Sequence, residues 1–468
     1  MPSDPPSSPY RPAVPITALA DWLGDEVAAA DFPETRLRFR NDRWAKAVGL
    51  ETLDDAAWTQ HFGRFTPLGD NLPTPLALKY HGHQFRSYNP EIGDGRGFLF
   101  AQLHDREDRL LDLGTKGSGT TPHSRDADGR LTLKGAVREA LASEMLEALG
   151  VHTSKTFSIV ETGEELERGD EPSPARSAVM VRLSQGHIRI GTFQRLLAYE
   201  EPDAMAALTD YCLEQFPGPL PPEDAPGRDE PAVILMHQLT ERMADLAASY
   251  MVAGFVHGVL NTDNMNVSGE SFDYGPWRWL PHWNPAFTAA YFDRGGLYAF
   301  GRQPEALHWN CGQFAVALRL LTESEPLLAA LNRYGELYME AVARRWCWRL
   351  GVVSKGVERD QQVVAACEKA MRESKIQPDD FFYAHRGGRA AEGELQEALA
   401  GYESAADTHP YWSEGAVQSM LVDEVETIWS AIDERDDWQP FADKIAALRN
   451  MGDAHGDAPH PLGHLRKL

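Results

Sequence analysis

One run of polar residues constrains the fold of this chain more than any other feature of its sequence. It reads His-Gly-Val-Leu-Asn-Thr-Asp-Asn over residues 257–264, and Asp-Tyr-Gly follows at residues 273–275. A long helix is predicted to lead directly into it, because apolar residues recur at spacings of three and four, namely Met236, Leu239, Met243, Leu246 and Tyr250. A helix that ends in two successive polar loops brings carboxylate and amide side chains together. The sequence therefore predicts a chemical site at this point, with a chance helix-to-strand turn as the alternative.

The chain before this run has the composition of a small β-rich unit. Glycine, turn residues and short apolar runs alternate from Tyr80 to about Gly191. A helix is predicted from Leu133 to Leu149, since apolar residues recur there every four positions and Gly150 follows as a C-terminal cap. Strands are predicted at residues 98–103, 110–113, 155–160 and 177–183. After about residue 307 the pattern is helical almost to the end of the chain.

The order of these parts indicates the fold class. A strand-rich part followed by a helical part, with polar loops at the junction, is typical of an α+β, protein-kinase-like fold with a small N-lobe and a large helical C-lobe. We expect residues 1–75 to be an N-terminal extension that packs on the kinase-like core. Residues 76–200 are predicted to form the N-lobe, and residues 201–450 the C-lobe with its catalytic loop and metal site. Residues 451–468 are expected to be a loose tail.

Composition narrows the class of function. The net charge is −25, which disfavours nucleic-acid binding because that draws on basic surfaces. No apolar run reaches the roughly 18 residues that a membrane span requires, and the first residues lack the pattern of a secretory signal. The four cysteines form no Cys-x-x-Cys pair, so zinc ligation is not expected. We expect a monomeric, cytoplasmic protein that binds neither nucleic acid nor membrane.

The polar run matches the catalytic loop of protein kinases with one difference. In kinases the loop reads His-Arg-Asp-x-x-x-x-Asn and is followed by Asp-Phe-Gly. His257, Asn264 and Asp273 match, but Val259 stands where the catalytic Asp belongs. Asn264 and Asp273 offer the oxygen ligands that suit Mg²⁺ or Mn²⁺ beside a nucleotide. Asp263, the only carboxylate of the loop, is the candidate base.

Two features of the β-rich part are candidates for phosphate binding. The sequence Gly93-Asp-Gly95-Arg96 precedes a predicted strand, and glycines there let backbone N–H groups approach phosphate oxygens. A simple hairpin turn is the alternative. Lys116 ends the next strand pair, where a lysine reaches phosphates if a carboxylate holds it in place. Glu139 on the predicted helix is the candidate partner, and Glu144 on the same helix is the other possibility.

Two further segments have an open interpretation. Residues 116–130 are dense in Gly, Ser, Thr and charge, so they form either a loop that wraps a nucleotide or a flexible connection. Six residues separate Arg182 from Arg189 in one strand-turn segment. They are either a clamp on a phosphate or ordinary surface arginines.

Together these motifs resemble the selenoprotein O family. The resemblance covers roughly residues 35–320, and the segments that carry it stand in the order Tyr80-His-Gly-His-Gln-Phe85, Ile92-Gly-Asp-Gly-Arg96, Lys116-Gly-Ser-Gly-Thr-Thr-Pro-His-Ser-Arg125, Asp128-Gly-Arg130, Val181-Arg-Leu183, Ser184-Gln-Gly-His-Ile-Arg189, His257-Gly-Val-Leu-Asn-Thr-Asp-Asn-Met265 and Asp273-Tyr-Gly-Pro276. It implies a kinase-like fold that transfers AMP, rather than phosphate, from ATP to Ser, Thr or Tyr hydroxyls of target proteins.

The resemblance also implies roles for single residues. Asp263 would be the catalytic base, Asn264 and Asp273 would hold the metal, and Glu139 would pair with Lys116. The nucleotide would be bound by Gly93, Gly95, Arg96, Lys116, Asp128, Gly129, Arg182 and Arg189. One departure concerns regulation: many members carry a redox-active Cys or selenocysteine near the C-terminus, whereas the last cysteine here is Cys367. Redox control through a terminal disulfide is therefore not expected.

Three hypotheses of function follow. The first is a metal-dependent protein adenylyltransferase, favoured by Val259 together with the set of motifs. The second is a protein kinase that uses the same cleft, which the missing Asp at residue 259 disfavours. The third is a non-catalytic scaffold that binds ATP. The presence of Lys116, Glu139, Asn264 and Asp273 together disfavours it, because a scaffold does not require the complete set.

Overall fold

A computed structural model describes residues 9–169, 171–405 and 408–459. It is a mixed α/β protein with an antiparallel-sheet lobe and a helical part. The strands are β1 (Gly24–Glu26), β2 (Arg36–Arg40), β3 (Leu76–Leu78), β4 (Gly82–Gln84), β5 (Ser87–Asn89), β6 (Leu99–His104), β7 (Leu110–Lys116), β8 (Leu131–Thr132), β9 (Lys155–Leu166), β10 (Ala175–Ser184), β11 (Phe255–Val256) and β12 (Arg278–Trp279).

The main sheet has eight strands, with the order β1-β3-β6-β7-β10-β9-β2 and with β8 paired to β10. Its pairs are antiparallel, and the hairpin β6–β7 aligns Leu103 with Leu111. One face packs on an aromatic core in which Trp58, Phe62 and Phe157 are fully or almost fully buried. Large aromatic rings contribute much apolar area to such a core, so they fix the position of the sheet.

The N-terminal 75 residues contribute strands to this sheet rather than only packing on it. Strand β1 pairs with β3 at one end of the sheet, and β2 pairs with β9 at the other. The predicted boundary at residue 75 was therefore too late for the sheet lobe. The cause is that β1 and β2 have three and five residues, and strands that short carry no clear alternation of apolar and polar residues.

Sixteen α-helices are present in the described residues. They are α1 (Ala20–Leu23), α2 (Asp42–Ala47), α3 (Asp55–Phe62), α4 (Leu133–Ala148), α5 (Ile190–Ala198), α6 (Pro202–Gln215), α7 (Pro231–Ala253), α8 (Gln303–Leu318), α9 (Ser324–Asn332), α10 (Tyr334–Leu350), α11 (Val357–Ser374), α12 (Pro378–Ala384), α13 (Gly393–Ala398), α14 (Tyr411–Glu414), α15 (Val422–Arg435) and α16 (Gln439–His455).

Helix α4 lies against the sheet and has the ends that its sequence predicts. The Thr132 side chain accepts a hydrogen bond from the Gly135 amide, and Gly150 has a positive φ of 72° just beyond the last turn. Both are standard end signals, because they satisfy backbone groups that have no partner within the helix.

Helix α7 is the centre of the helical part. The sequence predicts an amphipathic helix, but α7 is buried on all sides, since α6, α8, α9 and α10 pack around it. Such burial is typical of a helix in the core of a large unit. Its C-terminus at Gly254, with a φ of 66°, turns the chain directly into the 257–264 loop. Trp277, Trp279 and Trp283 are also buried in this part.

The last two helices return to the sheet lobe. Helices α15 and α16 pack on α4, and Arg449 of α16 binds Glu144 of α4 through two hydrogen bonds of 2.8 and 2.5 Å. Helix α16 continues to His455, with Met451 buried, so a loose tail that begins at residue 451 is wrong. Residues 460–468 of the predicted tail lie outside the described residues. Nothing in the described chain is both helical and apolar over a length that would cross a membrane.

Candidate active site

A polar cleft of about 340 Å³ lies where the sheet lobe meets the 257–264 loop. From the sheet lobe it is lined by the segment before β6, the end of β7 and the loop after it, β10 and the turn that follows β10. From the helical part it is lined by Asp263 and Asp273. Among the residues predicted for the site, those that line this cleft are Gly93, Gly95, Arg96, Lys116, Arg182, Arg189, Asp263 and Asp273. Segments more than 150 residues apart in sequence therefore meet at one surface.

Lys116 is held by two carboxylates. Its Nζ lies 2.6 Å from Glu139 Oε2 and 2.9 Å from Asp273 Oδ1. The other candidate, Glu144, faces away from the cleft and binds Arg449. Arg182 contacts the same two acids, with Nη1 3.3 Å from Glu139 and 3.5 Å from Asp273. Two cations and two carboxylates thus alternate in one buried cluster, which fixes the position of each charge.

Asp273 stays ionised in this cluster. Burial alone would raise the pKa of Asp273, but the positive charges of Lys116, Arg182 and Arg189 hold it well below its usual range. The residue has a φ of 65°, an uncommon conformation for a side chain other than glycine. Asp273 lines the cleft, so a permanent negative charge faces its interior.

Arg189 is buried between two aromatic rings. Its guanidinium carbon lies 4.2 Å from the ring centre of Tyr80 and 4.9 Å from that of Phe272. One nitrogen binds Asp94 at 3.0 Å, and another donates to the backbone carbonyl of Asp263 at 3.1 Å. These contacts hold a positive charge at the cleft wall, since cation–π contacts and charged hydrogen bonds both orient a guanidinium.

The glycines at residues 93, 95 and 97 allow close approach between backbone segments. A Cβ atom at Gly93 would lie 2.5 Å from the His123 ring, and one at Gly97 would lie 2.1 Å from the Thr115 carbonyl oxygen. The loop of residues 92–97 is thus pressed against residues 121–125 and the end of β7. The loop of residues 92–97 therefore forms part of the cleft wall, where a glycine backbone can approach a polyanionic ligand closely.

Asp263 lies opposite this loop and is 8 % exposed. Burial raises the pKa of Asp263 from 3.8 to about 6, although Arg189 opposes the shift. Its Oδ1 has no hydrogen-bond partner in the described residues, and Gln84 Nε2 approaches Oδ2 at 3.5 Å. A Cβ atom at Gly82 would lie 2.7 Å from Oδ1, so only glycine allows β4 to pack here. A carboxylate with a pKa near neutral suits a general base.

Asn264 and Asp273 each carry a side-chain oxygen that can bind a cation, and they lie in two different loops. The Asn264 amide nitrogen donates to the Val259 carbonyl at 3.0 Å, which turns its side-chain oxygen away from that carbonyl. Among the described residues, His, Cys, Asp and Glu form no group of three or more with the spacing of a metal site. Asp273 lines the cleft whereas Asn264 is not among its lining residues, so the role of this pair in holding a metal stays a prediction.

Comparisons with known proteins decide the family. The sequence profile of protein adenylyltransferase SelO matches residues 9–403. The chain belongs to this family.

Relatives named protein nucleotidyltransferase YdiU align over nearly all of the chain. The protein of Trichodesmium erythraeum is 40% identical over 470 residues, which cover 94% of this chain and 98% of the relative. That of Synechocystis sp. is 41% identical over 475 residues, with the same coverage of 94% and 98%. That of Synechococcus elongatus is 47% identical over 358 residues, which cover 75% of this chain and 70% of the relative.

Two residues that the SelO resemblance assigns to the nucleotide stand apart from the cleft lining. Asp128 binds Arg168 at 2.8 Å, and its side chain also accepts from the Arg130 amide at 3.0 Å. The carbonyl of Gly129 accepts from the Gly119 amide at 3.1 Å. In this structure both residues serve to close the 117–130 loop, so their contact with a nucleotide stays a prediction.

Several site residues of this SelO family member were missed in the sequence. Tyr80, Gln84 and Asp94 line the cleft, although none of them was predicted to take part in the site. His123 lines it too, and it belongs to the 116–130 segment whose role was left open. Asp94 stands between the two glycines of the predicted loop, and that position was the available signal. The contact between Tyr80 and Arg189 has no such signal, because it depends on the fold and not on spacing.

Proposed function

We propose that this protein transfers AMP from ATP to Ser, Thr or Tyr hydroxyls of target proteins and releases pyrophosphate. Membership of the SelO family supports the reaction class. The names of the relatives, protein nucleotidyltransferase, agree with it. A cleft lined by five Lys and Arg side chains, a glycine loop and three Asp carboxylates has the charges that an ATP-dependent transfer requires.

The position of Asp263 is the observation that carries the proposal. Val259 occupies the place of the kinase base, whereas Asp263 is buried at the cleft with a pKa raised to about 6. In the proposed reaction, the target hydroxyl oxygen forms a bond to the α-phosphorus while the bond to the bridging oxygen breaks. Asp263 accepts the hydroxyl proton, and pyrophosphate leaves with the electron pair of the broken bond.

Positive side chains of the sheet lobe would receive the pyrophosphate. Lys116, Arg182 and Arg189 are each buried and fixed by carboxylates or rings, so they lose little freedom when a polyanion binds. Arg96 and the backbone of the glycine loop add to this wall. Charge developing on the leaving group would therefore meet groups that are already oriented.

Asn264 and Asp273 are the proposed ligands of a divalent cation, Mg²⁺ or Mn²⁺. Such a cation neutralises phosphate charge and polarises the phosphorus. Asp273 also contacts Lys116, so Asp273 connects the positive side chains proposed to bind phosphate with the proposed metal ligands. A chelator is expected to abolish transfer, and excess Mg²⁺ or Mn²⁺ to restore it.

We further propose that the architecture is a variant of the kinase two-lobe fold, and that the protein acts as a cytoplasmic monomer. The sheet lobe with its α4 helix, the Lys116–Glu139 pair and the loops after α7 support the kinase likeness. The free, buried cysteines fit a reducing compartment. Size-exclusion chromatography would test whether the protein is a monomer. The second candidate function is a non-catalytic scaffold that binds ATP.

Labelled ATP separates these functions. Incubation of the protein with acceptor proteins and ATP labelled at the α-phosphorus is expected to give labelled protein, whereas ATP labelled at the γ-phosphorus is not. Label from the γ position alone would identify a kinase and overturn the proposal. Stabilisation by ATP without label from either position would identify a scaffold.

A further inference from the structure

Exposed aromatic side chains border the site next to Asp263. Phe85, Tyr291 and Phe292 are 37%, 85% and 47% exposed, and their rings are consecutive neighbours. The ring centres of Phe85 and Phe292 are 5.8 Å apart, and those of Tyr291 and Phe292 are 5.1 Å apart. We name these three residues the aromatic patch. Exposed apolar residues that cluster in this way mark interaction surfaces more often than single ones do.

The aromatic patch is fixed to the loop that carries Asp263. The Phe85 amide donates to Asn261 Oδ1 at 3.0 Å, and the amide of the neighbouring His83 donates to Thr262 Oγ1 at 2.7 Å. The Tyr298 hydroxyl binds the same Asn261 oxygen at 2.8 Å, and its ring lies 5.0 Å from that of Phe85. The hairpin of residues 82–89 and the segment of residues 291–298 therefore hold one surface from two sides.

Charged side chains near the aromatic patch pair with one another. Arg86 binds Glu305 at 3.0 Å, and Arg302 binds the same glutamate at 3.2 Å. Arg86 also lies over the ring of Trp309 at 5.4 Å. Glu305 thus holds both arginines beside the aromatic patch, and the exposed rings of the patch are the groups available to an apolar side chain.

We infer that the aromatic patch docks a segment of the target protein that carries a bulky apolar side chain close to the hydroxyl receiving AMP. The inference rests on the proposed function, since it names the acceptor side of the same site. The cationic wall of the cleft suits ATP. Gln84, which directly precedes Phe85, lines the same cleft and approaches Asp263 Oδ2 at 3.5 Å, so the aromatic patch lies beside the base. An acceptor held there by an apolar neighbour would present its hydroxyl to the base.

Peptide acceptors test the inference. A peptide library has one central Ser, Thr or Tyr, with flanking positions that carry either Leu, Phe and Met or Ser and Gly. Rates of label transfer from α-labelled ATP are measured for the wild type, for Phe85→Ser with Phe292→Ser, and for Leu328→Ser. Leu328 on α9 is 51% exposed and serves as the matched control.

We expect the wild type to prefer peptides with bulky apolar flanks by about tenfold in kcat/KM, the scale on which one buried apolar side chain acts. The double variant should lose this preference, whereas Leu328→Ser keeps it. Thermal stabilisation by ATP should be the same in all three proteins, which verifies folding and an intact cleft. An unchanged preference in the double variant would overturn the inference and leave the proposed function standing. Absence of label with the wild type would overturn both.

Discussion

Lys116 Nζ lies 2.9 Å from Asp273 Oδ1, although 157 positions separate the two residues in the sequence. The contact joins the end of β7 in the sheet lobe to the loop after residue 264. Because Glu139 also holds Lys116, this lysine and the proposed metal ligand Asp273 belong to one charge cluster. We therefore expect the position of a bound nucleotide to depend on both the sheet lobe and the helical part.

Replacement of Lys116 by Met should reduce AMP transfer by about 100-fold or more, since it removes a fixed positive charge from the transition state. It also leaves Glu139 and Asp273 without their shared cation, so ATP binding should weaken. Transfer from α-labelled ATP and ATP-induced thermal shifts measure the two effects. Lys369→Met is the matched control, because Lys369 forms its ion pair with Glu394 at the surface. Equal activity of the two variants would contradict the role of Lys116.

Replacement of Asp263 by Asn should separate catalysis from binding. The variant keeps the shape of the side chain but cannot accept a proton, so transfer should fall by about 10² to 10⁴-fold. ATP should still stabilise the protein, since Lys116, Arg182 and Arg189 are unchanged. Single-turnover transfer rates together with thermal shifts provide the comparison. A variant with full activity would assign the base to another group.

Tyr80 should act through Arg189. The ring centre lies 4.2 Å from the guanidinium carbon, so Tyr80→Leu removes one of the two rings that orient this charge. We expect about tenfold weaker ATP binding, on the scale of a partly buried cation–π contact. Tyr80→Phe keeps the ring and should bind ATP like the wild type. Calorimetric titration with ATP compares the three proteins, and equal affinities for Leu and Phe would rule out the positioning role.

Features that depend on contacts between residues close in sequence could be predicted, whereas those that depend on distant contacts could not. Local signals located helix α4, the long strands and the loops, because caps, turns and periodic apolar residues act over a few positions. The kinase pattern also proposed Lys116 with Glu139, and it left Glu144 open since both acids lie on one helix. Long-range packing decided the rest: Tyr80 beneath Arg189, β1 and β2 at the sheet ends, and α16 against α4. No spacing within a single segment encodes such contacts.

Glu270 should make stability depend on pH. Burial raises its pKa from 4.5 to about 7, although Lys155 opposes the shift. Its neighbours are Lys155 Nζ and His152, each 3.7 Å away, and the Gln185 amide, which donates to it at 2.7 Å. Between pH 4.5 and 7 the unfolded chain loses the proton while the folded one keeps it, so stability falls as the pH rises.

Glu270→Gln should remove this dependence, because glutamine can still accept from the Gln185 amide and never ionises. Relative to the variant, the wild type should lose about 3 kcal/mol of unfolding free energy between pH 4.5 and 7. Urea unfolding of both proteins at several pH values measures the difference. A constant difference between the two proteins over this range would contradict the raised pKa.

Arg449 should stabilise the contact between the C-terminal helices and α4. The Glu144 side chain is 3% exposed and binds Arg449 at 2.5 Å. Among the described residues, Arg449→Met leaves this buried carboxylate with only Asn41, at 3.4 Å. We expect a loss of about 2 kcal/mol of unfolding free energy. Arg435→Met is the control, since Arg435 is 60% exposed and pairs only with Glu434 among the described residues. Adding Glu144→Gln to Arg449→Met should recover part of the lost unfolding free energy, because it removes the unpaired carboxylate charge. If there is no recovery, the packing of the Arg449 side-chain stem dominates.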